Sequence, residues 1–314
     1  MIAAADVAGT AFLRLDGLTR RFGERVAVDG LTVDIGKGEV FGFLGPNGAG
    51  KSTTFHLLTG LLAPDGGRVL IDGILAPPTD GKVRRRLGVV FQEPSLDDKL
   101  SARENLSLGC ALYGLSGRRA AQRIDELLAL VELGDRAKEP VERFSGGMKR
   151  RLEIARVLLH EPEILIMDEP SRGIDAPTLR RIWEQLLDYK RTRRMTILLT
   201  THQPDEAEYC DRIAVLDHGK VIACDTPEKL RQAVGGDVVT LEGDRPDELA
   251  ADVQARFGLA PRVVDGRVVI EAPRGHELIP RLVEQLPPGR LRAVGMRRPT
   301  LADVFVHLTG RGLV

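Results

Sequence analysis

The sequence lacks three features that would narrow the choice of function: paired cysteines, a net charge and a long apolar run. Three cysteines occur in 314 residues with no paired or metal-ligand spacing, which predicts reduced thiols in a cytosolic compartment. Lys and Arg together number 45, as do Asp and Glu, so bulk charge favours neither nucleic acid nor an anionic membrane surface as a partner. No apolar run approaches the roughly 20 residues that span a bilayer. The start carries Asp6 and no basic segment, so we expect no signal peptide.

The chain does have enough apolar residues for a large core. Apolar side chains make up 43% of the residues and charged side chains 29%, a balance typical of soluble globular proteins. A length of 314 residues favours two domains over one. If the protein acts at a membrane, another chain must supply the membrane-spanning part.

The first two thirds of the chain alternate short apolar runs with amphipathic helical patterns, which indicates an α/β fold. Several runs are almost continuously apolar, as parallel strands buried on both faces must be. We predict strands over residues 39–45, 86–91, 163–169, 195–201 and 212–217. Helical patterns cover 118–133, with Gly134 as the predicted C-cap, and 177–190.

Two regions depart from this alternation. Residues 97–143 are rich in helical patterns and contain no convincing strand, and they open with Ser101 and Glu104 at the spacing of a capping box. We interpret this region as a helical subdomain inserted between two strands of the sheet. The segment 233–237, which reads AVGGD, is a predicted linker to a smaller unit over 238–314.

The smaller unit mixes strand and helix patterns, which predicts an α+β domain. Its candidate strands are 238–243 and 267–272, and its candidate helices lie near 247–257 and 275–286. At its end, Thr300 and Asp303 again have capping-box spacing, ahead of an apolar stripe. We interpret this unit as an accessory domain for packing or dimerisation that steadies a pair of chains. The alternative is regulation through a final helix that controls closure of a dimer.

A glycine-rich loop over 45–53, GPNGAGKST, follows one predicted strand and opens a helix. Such a loop curls so that consecutive N–H groups face phosphate oxygens, while its lysine adds a point charge and its hydroxyl reaches Mg²⁺. The predicted nucleotide-binding residues are Gly45, Pro46, Asn47, Gly48, Ala49, Gly50, Lys51, Ser52 and Thr53.

Polar residues follow three other predicted strands, at the sheet edge where α/β proteins bind ligands. Asp168 and Glu169 end the run ILIMDEP; Asp168 suits a Mg²⁺ ligand, and Glu169 would orient or deprotonate an attacking water. Gln92 follows the strand at 86–91 and could bind Mg²⁺ or water. His202 follows the strand at 195–201 and could donate to a phosphate oxygen. Gln92 and His202 could each instead be an ordinary polar residue at the end of a strand.

Two further features point to a nucleotide. Phe22 could stack on a base, or it could be a partly exposed strand aromatic. The stretch FSGGM places Ser145, Gly146 and Gly147 at the start of a helix, where free N–H groups and a hydroxyl make a second phosphate-receiving end. Taken alone, it could equally be a flexible loop before a helix.

The order of these motifs resembles the ATP-binding cassette (ABC) ATPase family over about residues 12–232. The resemblance implies a P-loop NTPase fold, with a RecA-like core, a β subdomain and a helical subdomain over about 97–160, joined here to the small C-terminal domain. It also implies roles for single residues. These are Phe22 as the adenine-stacking aromatic, Gln92 as the Q-loop glutamine, Glu169 as the catalytic glutamate, Asp175 as the D-loop aspartate and His202 as the switch histidine.

In this family two cassettes pack head to tail, and each presents its SGG segment to ATP bound by the other. The resemblance therefore implies a homodimer that binds ATP and Mg²⁺, with Ser52, Gln92 and Asp168 near the metal and Ser145, Gly146, Gly147 and Asp175 reaching the partner's ATP.

The tail PTLADVFVHLTGR (299–311), taken with SGGMKRRLEIAR, resembles the drug-resistance and nodulation-factor export branch. In that branch a single-cassette chain pairs with a separate permease on the cytoplasmic face of the membrane. The loop after Gln92 and residues 97–143 would contact the permease. The exported molecule is not readable from a cassette: drug, lipid-linked glycan and toxin all stay open.

Three departures from the family pattern stand at the expected trans site: Phe144 for Leu, Met148 for Gln, and Arg172 within SRGID. None removes a group that the chemistry needs. A soluble cassette acting in regulation, translation or DNA maintenance is the alternative function. Such proteins usually carry two cassettes or a long coiled-coil insertion, and this chain has neither. A small-molecule P-loop kinase would need only the loop at 45–53.

Overall fold

The computed structural model describes residues 11–76, 80–93 and 95–313. The first ten residues, on which the expectation of no signal peptide depends, lie outside the described residues. The described strands are β1 (Leu13–Phe22), β2 (Arg25–Ile35), β3 (Val40–Leu44), β4 (Gly66–Ile71), β5 (Ile74–Leu75), β6 (Leu87–Val90), β7 (Ile164–Asp168), β8 (Thr196–Thr201), β9 (Arg212–Asp217), β10 (Lys220–Asp225), β11 (Asp237–Glu242), β12 (Arg262–Val264), β13 (Arg267–Ala272) and β14 (Ala293–Arg297). The described α-helices are α1 (Lys51–Thr59), α2 (Gly81–Arg86), α3 (Ala102–Leu112), α4 (Gly117–Leu130), α5 (Gly146–Val157), α6 (Ala176–Arg193), α7 (Pro204–Ala207), α8 (Pro227–Gln232), α9 (Pro246–Phe257), α10 (Gly275–Gln285) and α11 (Leu301–Thr309).

The central sheet has six strands in the order β10-β9-β3-β8-β7-β6, parallel throughout except for the edge strand β10. All five strands predicted from apolar runs lie in it, so those predictions are confirmed. Every residue of β3, β7 and β8 is buried. Alternate residues of these strands enter two apolar clusters, one on each face of the sheet, which explains their continuous apolar character.

A second sheet, antiparallel and ordered β2-β1-β4-β5, supplies the predicted β subdomain. Its individual strands are not evident from the sequence, because register shifts interrupt the pairing of β1 with both of its neighbours. Such bulges break the period-two pattern on which strand prediction depends. The sheet matters for function because β1 ends at Phe22.

The helical region begins as predicted and diverges later. Ser101 and Glu104 form the capping box: the Ser101 hydroxyl accepts the Glu104 N–H at 3.2 Å, and the Glu104 carboxylate accepts the Ser101 N–H at 2.8 Å. The predicted C-cap at Gly134 is wrong, since α4 ends at Leu130 and Gly134 starts a 3₁₀ turn. Buried Leu133 closes the helix end by donating to the Leu128 carbonyl, which places the left-handed residue earlier in the chain.

The C-terminal sheet is antiparallel, in the order β12-β13-β11-β14. The strand predictions at 238–243 and 267–272 correspond to β11 and β13, and the two predicted helices correspond to α9 and α10. β12 and β14 were not predicted. The first is only three residues long and the second is mostly exposed, so neither shows an apolar pattern.

The final helix, α11, packs against the main body of the protein. Thr300 and Asp303 form the predicted capping box at its start. Its buried residues Leu301, Val304 and Phe305 belong to the apolar cluster that also covers one face of the central sheet. α11 contacts α7 and α8 directly. The C-terminal unit is therefore joined to the segment that follows His202.

Two expectations about the chain as a whole can be checked. The three cysteines (Cys110, Cys210 and Cys224) are free, as predicted. Among the helices of the described residues, none combines the length and apolar character required to cross a bilayer.

Candidate functional site

The glycine-rich loop joins β3 to α1 and curls around the amine of Lys51. The Lys51 Nζ donates to the carbonyls of Gly45 at 2.8 Å and Pro46 at 3.0 Å, and its side chain is almost wholly buried. Gly50 caps the helix at φ +102°, and a Cβ there would lie 2.5 Å from the Ala27 carbonyl oxygen. Only glycine tolerates both this backbone angle and this close contact, so the loop requires glycine at this position.

An open cleft of about 270 Å³ lies over this loop. Phe22 forms one wall and is half exposed, with the Arg20 guanidinium 5.1 Å from its ring centroid. The lining residues are Phe22, Arg25, Ala27, Asn47, Gly48, Gly50, Lys51, Ser52, Thr53 and Glu169. An exposed aromatic face beside a ring of backbone amides and a lysine fits a base and its phosphates.

Asp168 and Glu169 end β7 beside the loop. Asp168 is buried, and it accepts a hydrogen bond from the Thr200 hydroxyl. Burial raises the pKa of Asp168, although the Thr200 hydrogen bond opposes that shift. Burial also lowers the pKa of Lys51, and the carboxylates of Glu169 and Asp168 oppose this. Burial therefore removes water from both charged groups, and interactions with a charged ligand could compensate for that loss.

Glu169 is the meeting point of the predicted catalytic residues. His202 Nδ1 lies 3.0 Å from one carboxylate oxygen of Glu169, and Gln92 Nε2 donates to the other at 3.4 Å. Lys51 Nζ is 3.9 Å from the Glu169 carboxylate. The backbone of Glu169 has φ +44°, a left-handed conformation that is strained for any residue other than glycine. The ends of three strands, β6, β7 and β8, and the glycine-rich loop therefore meet at the Glu169 carboxylate.

Residues Ser145, Gly146, Gly147 and Asp175 do not join this group and do not line the cleft. Ser145 caps α5, and its hydroxyl accepts the Met148 N–H at 3.3 Å. Asp175 caps α6 by accepting the Thr178 N–H at 3.2 Å. Both caps are exposed. A Cβ on Gly147 would lie 2.9 Å from the Thr178 side chain, so the two helix starts are packed side by side.

Two site residues were missed by the sequence analysis. The Thr200 hydroxyl donates to the Asp168 carboxylate and accepts a hydrogen bond from the Glu169 N–H at 3.3 Å. Arg25 lines the cleft and donates to the Gly48 carbonyl at 3.5 Å. A threonine ending a strand next to the acidic strand was the available signal for Thr200. Nothing in the sequence brings Arg25 to the loop, because that contact depends on the pairing of β2.

Glu206 is a fully buried carboxyl group behind the site. The Ser171 hydroxyl donates to one oxygen of this carboxyl group at 2.9 Å. Burial is the main cause that raises the pKa of Glu206 from 4.5 to about 7. The folded protein therefore holds this proton to about pH 7, whereas the unfolded chain releases it near pH 4.5. Folding stability contributed by the neutral form is lost as pH rises through that window.

We expect Glu206→Gln, which mimics the neutral acid, to match the wild type in stability near pH 4.5. At pH 8 it should be more stable by up to about 3 kcal/mol, from about 1.4 kcal/mol per pKa unit. Urea unfolding at the two pH values measures this. Glu228→Gln, at an exposed carboxylate on α8, is the control and should show no such pH dependence. Equal pH profiles for Glu206→Gln and the wild type would contradict the assignment.

Comparison with known proteins gives a consistent result. The model of the ABC transporter family matches residues 28–172. The chain is 39% identical to the daunorubicin resistance ATP-binding protein DrrA3 of Streptomyces coeruleorubidus, over 95% of this chain and 96% of that protein. It is 38% identical to the Nod factor export ATP-binding protein I of Rhizobium sp., over 95% and 96% of the two chains. It is 35% identical to the linearmycin resistance ATP-binding protein LnrL of Bacillus subtilis, over 96% and 99%.

Solved structures share the fold. CbiO1 from Clostridium perfringens, described as part of the ABC transporter complex cbiONQ, superposes with a TM-score of 0.67 at 29% identity, over 80% of this chain and 97% of that one. The ATP-binding cassette MJ0796, solved as a dimer bound to ADP and Pi, superposes with a TM-score of 0.62 at 30% identity, over 68% and 98%. The predicted P-loop NTPase fold is confirmed.

Proposed function

Because the chain belongs to the family of ABC transporter ATP-binding proteins, we propose that two copies form paired ATP sites and drive export through a separate permease. Family membership makes it an ATP-binding, ATP-hydrolysing subunit of an ABC transporter, homologous to drug-resistance and Nod factor export ATPases. One observation carries the paired-site proposal. The loop at 45–53 lines a cleft, whereas the second phosphate-receiving helix start, at Ser145, is exposed and is not among the residues that line this cleft.

ATP would bind with its base on Phe22 and its phosphates on the loop. The exposed ring at the end of β1 suits stacking. The N–H groups at the start of α1 and the amine of Lys51 would hold the β- and γ-phosphates. Phosphate would replace the two carbonyls that Lys51 now contacts and would offset the desolvation of its ammonium.

A magnesium ion fits the residues beside the loop. Ser52, Gln92 and Asp168 offer a hydroxyl, an amide and a carboxylate, the hard oxygen donors that Mg²⁺ takes. Within residues 11–76, 80–93 and 95–313, no three His, Cys, Asp or Glu side chains are clustered to hold a metal. The other ligands of the cation would come from phosphate and water. When bound, it would neutralise charge on the β- and γ-phosphate oxygens.

Glu169 would accept a proton from the attacking water or orient that water for in-line attack. Its carboxylate contacts both His202 and Gln92. His202 would then donate to the γ-phosphate as negative charge develops there. Gln92 would position water or the metal. In these roles His202 and Gln92 would exchange their contacts with Glu169 for contacts with phosphate, water or the metal.

The second copy would complete each site. Its Ser145 hydroxyl and the free N–H groups of Gly146 and Gly147 would close on the γ-phosphate, and its Asp175 would lie at the seam. A head-to-tail pairing with twofold symmetry gives two identical sites. MJ0796, a similar cassette, was solved as a dimer bound to ADP and Pi, which supports this arrangement here.

The permease would dock in an apolar groove beside the residues around Gln92 (residues 91–93 and Ser95), which we call the Gln92 segment. The groove has a volume of about 610 Å³ and lies between α1, α3 and the residues after β6. Leu112 and Leu108 line it and are unusually exposed, at 85% and 55%. Exposed large apolar residues around a groove favour a protein partner. Docking there would hold the chain at the cytoplasmic face of the membrane, which we propose as its location.

Leu112→Asp should abolish capture of the permease and leave the ATPase rate of the isolated chain unchanged, because this side chain contacts solvent rather than the core. Affinity capture from detergent-solubilised membranes of the source cells, followed by mass spectrometry, measures the loss. Ile74→Asp, at a side chain 70% exposed on β5 and outside the groove, is the control. Capture of ribosomes with no polytopic membrane protein would favour a non-transport cassette instead.

We propose that the chain consists of a cassette over 12–232, a linker over 233–237 and a C-terminal unit over 238–314. The C-terminal unit would bias the position of α7. Its last helix packs on α7, which begins two residues after His202. Arg311 also contacts Asp217 and His218 at the end of β9. These contacts support regulation through the final helix, and deletion of 238–314 with turnover and self-association as readouts separates regulation from dimerisation.

A further inference from the structure

The helix that starts at Ser145 carries two buried charged residues, Arg150 and Glu153, that line neither the ATP cleft nor the apolar groove. Arg150 and Glu153 lie on α5, 5% and 1% exposed, and form an ion pair at 3.2 Å. A pair of apolar residues at these positions would avoid the cost of desolvating two charges. Their contacts beyond each other suggest why the charges are there.

Arg150 binds three backbone carbonyls from the active-site loops. Its guanidinium donates to the carbonyl of Phe91, the residue before Gln92, and to that of Asp168 at 3.2 Å. It donates also to the carbonyl of Pro170 at 3.2 Å, directly after Glu169. A planar guanidinium can hold several acceptors at fixed angles, which an ammonium cannot. Arg150 therefore fixes the strand ends that carry both Gln92 and Glu169.

Glu153 holds the other side of the Gln92 segment. Its Oε1 accepts the backbone N–H of Ser95 at 2.7 Å and the Ser95 hydroxyl at 3.1 Å. Arg156, one turn from Glu153 on the same helix, donates to the Ser95 carbonyl at 2.6 Å. The Gln92 segment is thus bound to α5 on both sides of Gln92, by charge-assisted hydrogen bonds, which are the strong ones.

We infer that Arg150 and Glu153 are positioning residues that make the Gln92 segment and the Ser145 helix start move as one piece. Gln92 belongs to the ATP site of its own chain, whereas Ser145 is proposed to reach the ATP of the second copy. A displacement of the Gln92 segment by the permease would therefore also displace Ser145, which links both sites of the dimer. This inference rests on the proposed roles of Gln92 and Ser145.

The test compares Arg150→Met, Arg150→Lys and the double variant Arg150→Met/Glu153→Leu in the full chain. We expect each to lower kcat for ATP by about 10- to 100-fold, as loss of supporting contacts around a site typically does. The affinity for a fluorescent ATP analogue should change less than about twofold, because the phosphate loop keeps its contacts. Arg151→Met is the matched control. Arg151 is next along the helix but contacts the Val131 carbonyl and Glu132 instead.

The double variant separates positioning from structure. Removing both charges leaves no unpaired ion in the core. The melting temperature of the double variant should therefore return toward that of the wild type. If kcat returns with it, Arg150 and Glu153 are structural only and the inference is overturned; a low kcat in a stable double variant supports it. Gln92→Ala is measured alongside. If it leaves kcat intact, the proposed role of Gln92 fails and the inference with it. If it lowers kcat while the Arg150 variants do not, only the inference fails.

Discussion

Replacing Glu169 by glutamine should lower ATP turnover by about 10²- to 10⁴-fold, the usual contribution of a positioned general base. Glutamine keeps the shape of the side chain but cannot accept a proton from water. ATP affinity should stay near the wild-type value, because the phosphate loop and Phe22 are untouched. The variant should accumulate as an ATP-bound dimer, since the step that reopens the dimer is blocked.

Steady-state phosphate release and size-exclusion chromatography with ATP measure these two effects. Glu163→Gln is the control: Glu163 immediately precedes β7, at the end of the strand opposite Glu169, and pairs with Arg86 outside the cleft. Its turnover should be close to that of the wild type. Near-normal hydrolysis by Glu169→Gln would remove Glu169 from the catalytic role and leave His202 or another group to be tested.

Lys51→Ala should weaken ATP binding by about 10- to 150-fold, corresponding to about 1.5–3 kcal/mol for a hydrogen bond to a charged group. Lys51 is the buried cation of the cleft, and it also holds the loop closed through the carbonyls of Gly45 and Pro46. Its loss removes the phosphate contact and loosens the loop together. Turnover at limiting ATP should fall at least as far as affinity.

Isothermal titration with ATP measures this change in affinity. Lys229→Ala on α8 removes an exposed lysine that is 60% accessible and paired with Asp225. That control should bind ATP as the wild type does. If Lys51→Ala binds ATP with unchanged affinity, nucleotide binding does not depend on this loop and the cleft has been misassigned.

The central sheet and most of the site could be predicted because their signals are local. Buried parallel strands leave continuous apolar runs, and the polar residues that end them meet at one edge of the sheet whatever the connections. Gln92, Glu169 and His202 were predicted in this way. The capping boxes at Ser101 and Thr300 also depend only on residues three apart.

The remaining features depend on contacts between distant segments. Bulges hide the pairing of β1 with β2, and the packing of α11 on α7 joins residues about 100 positions apart in the chain. Glu132, rather than a glycine, takes the left-handed position at the end of α4 because burial of Leu133 fixes that turn. Arg150 and Glu153 look like ordinary charged helix residues until the loops around them are placed.

The central claim is that each ATP site is shared between two copies, and mixed dimers test it directly. Lys51→Ala disables the phosphate loop of one chain, and Ser145→Arg blocks the exposed helix start of another; each variant alone should be nearly inactive. Mixed before ATP is added, they can form dimers in which one site combines an intact loop with an intact helix start. We predict that ATPase activity rises well above the mean of the two separate variants. A mixture no more active than its components would contradict the shared site.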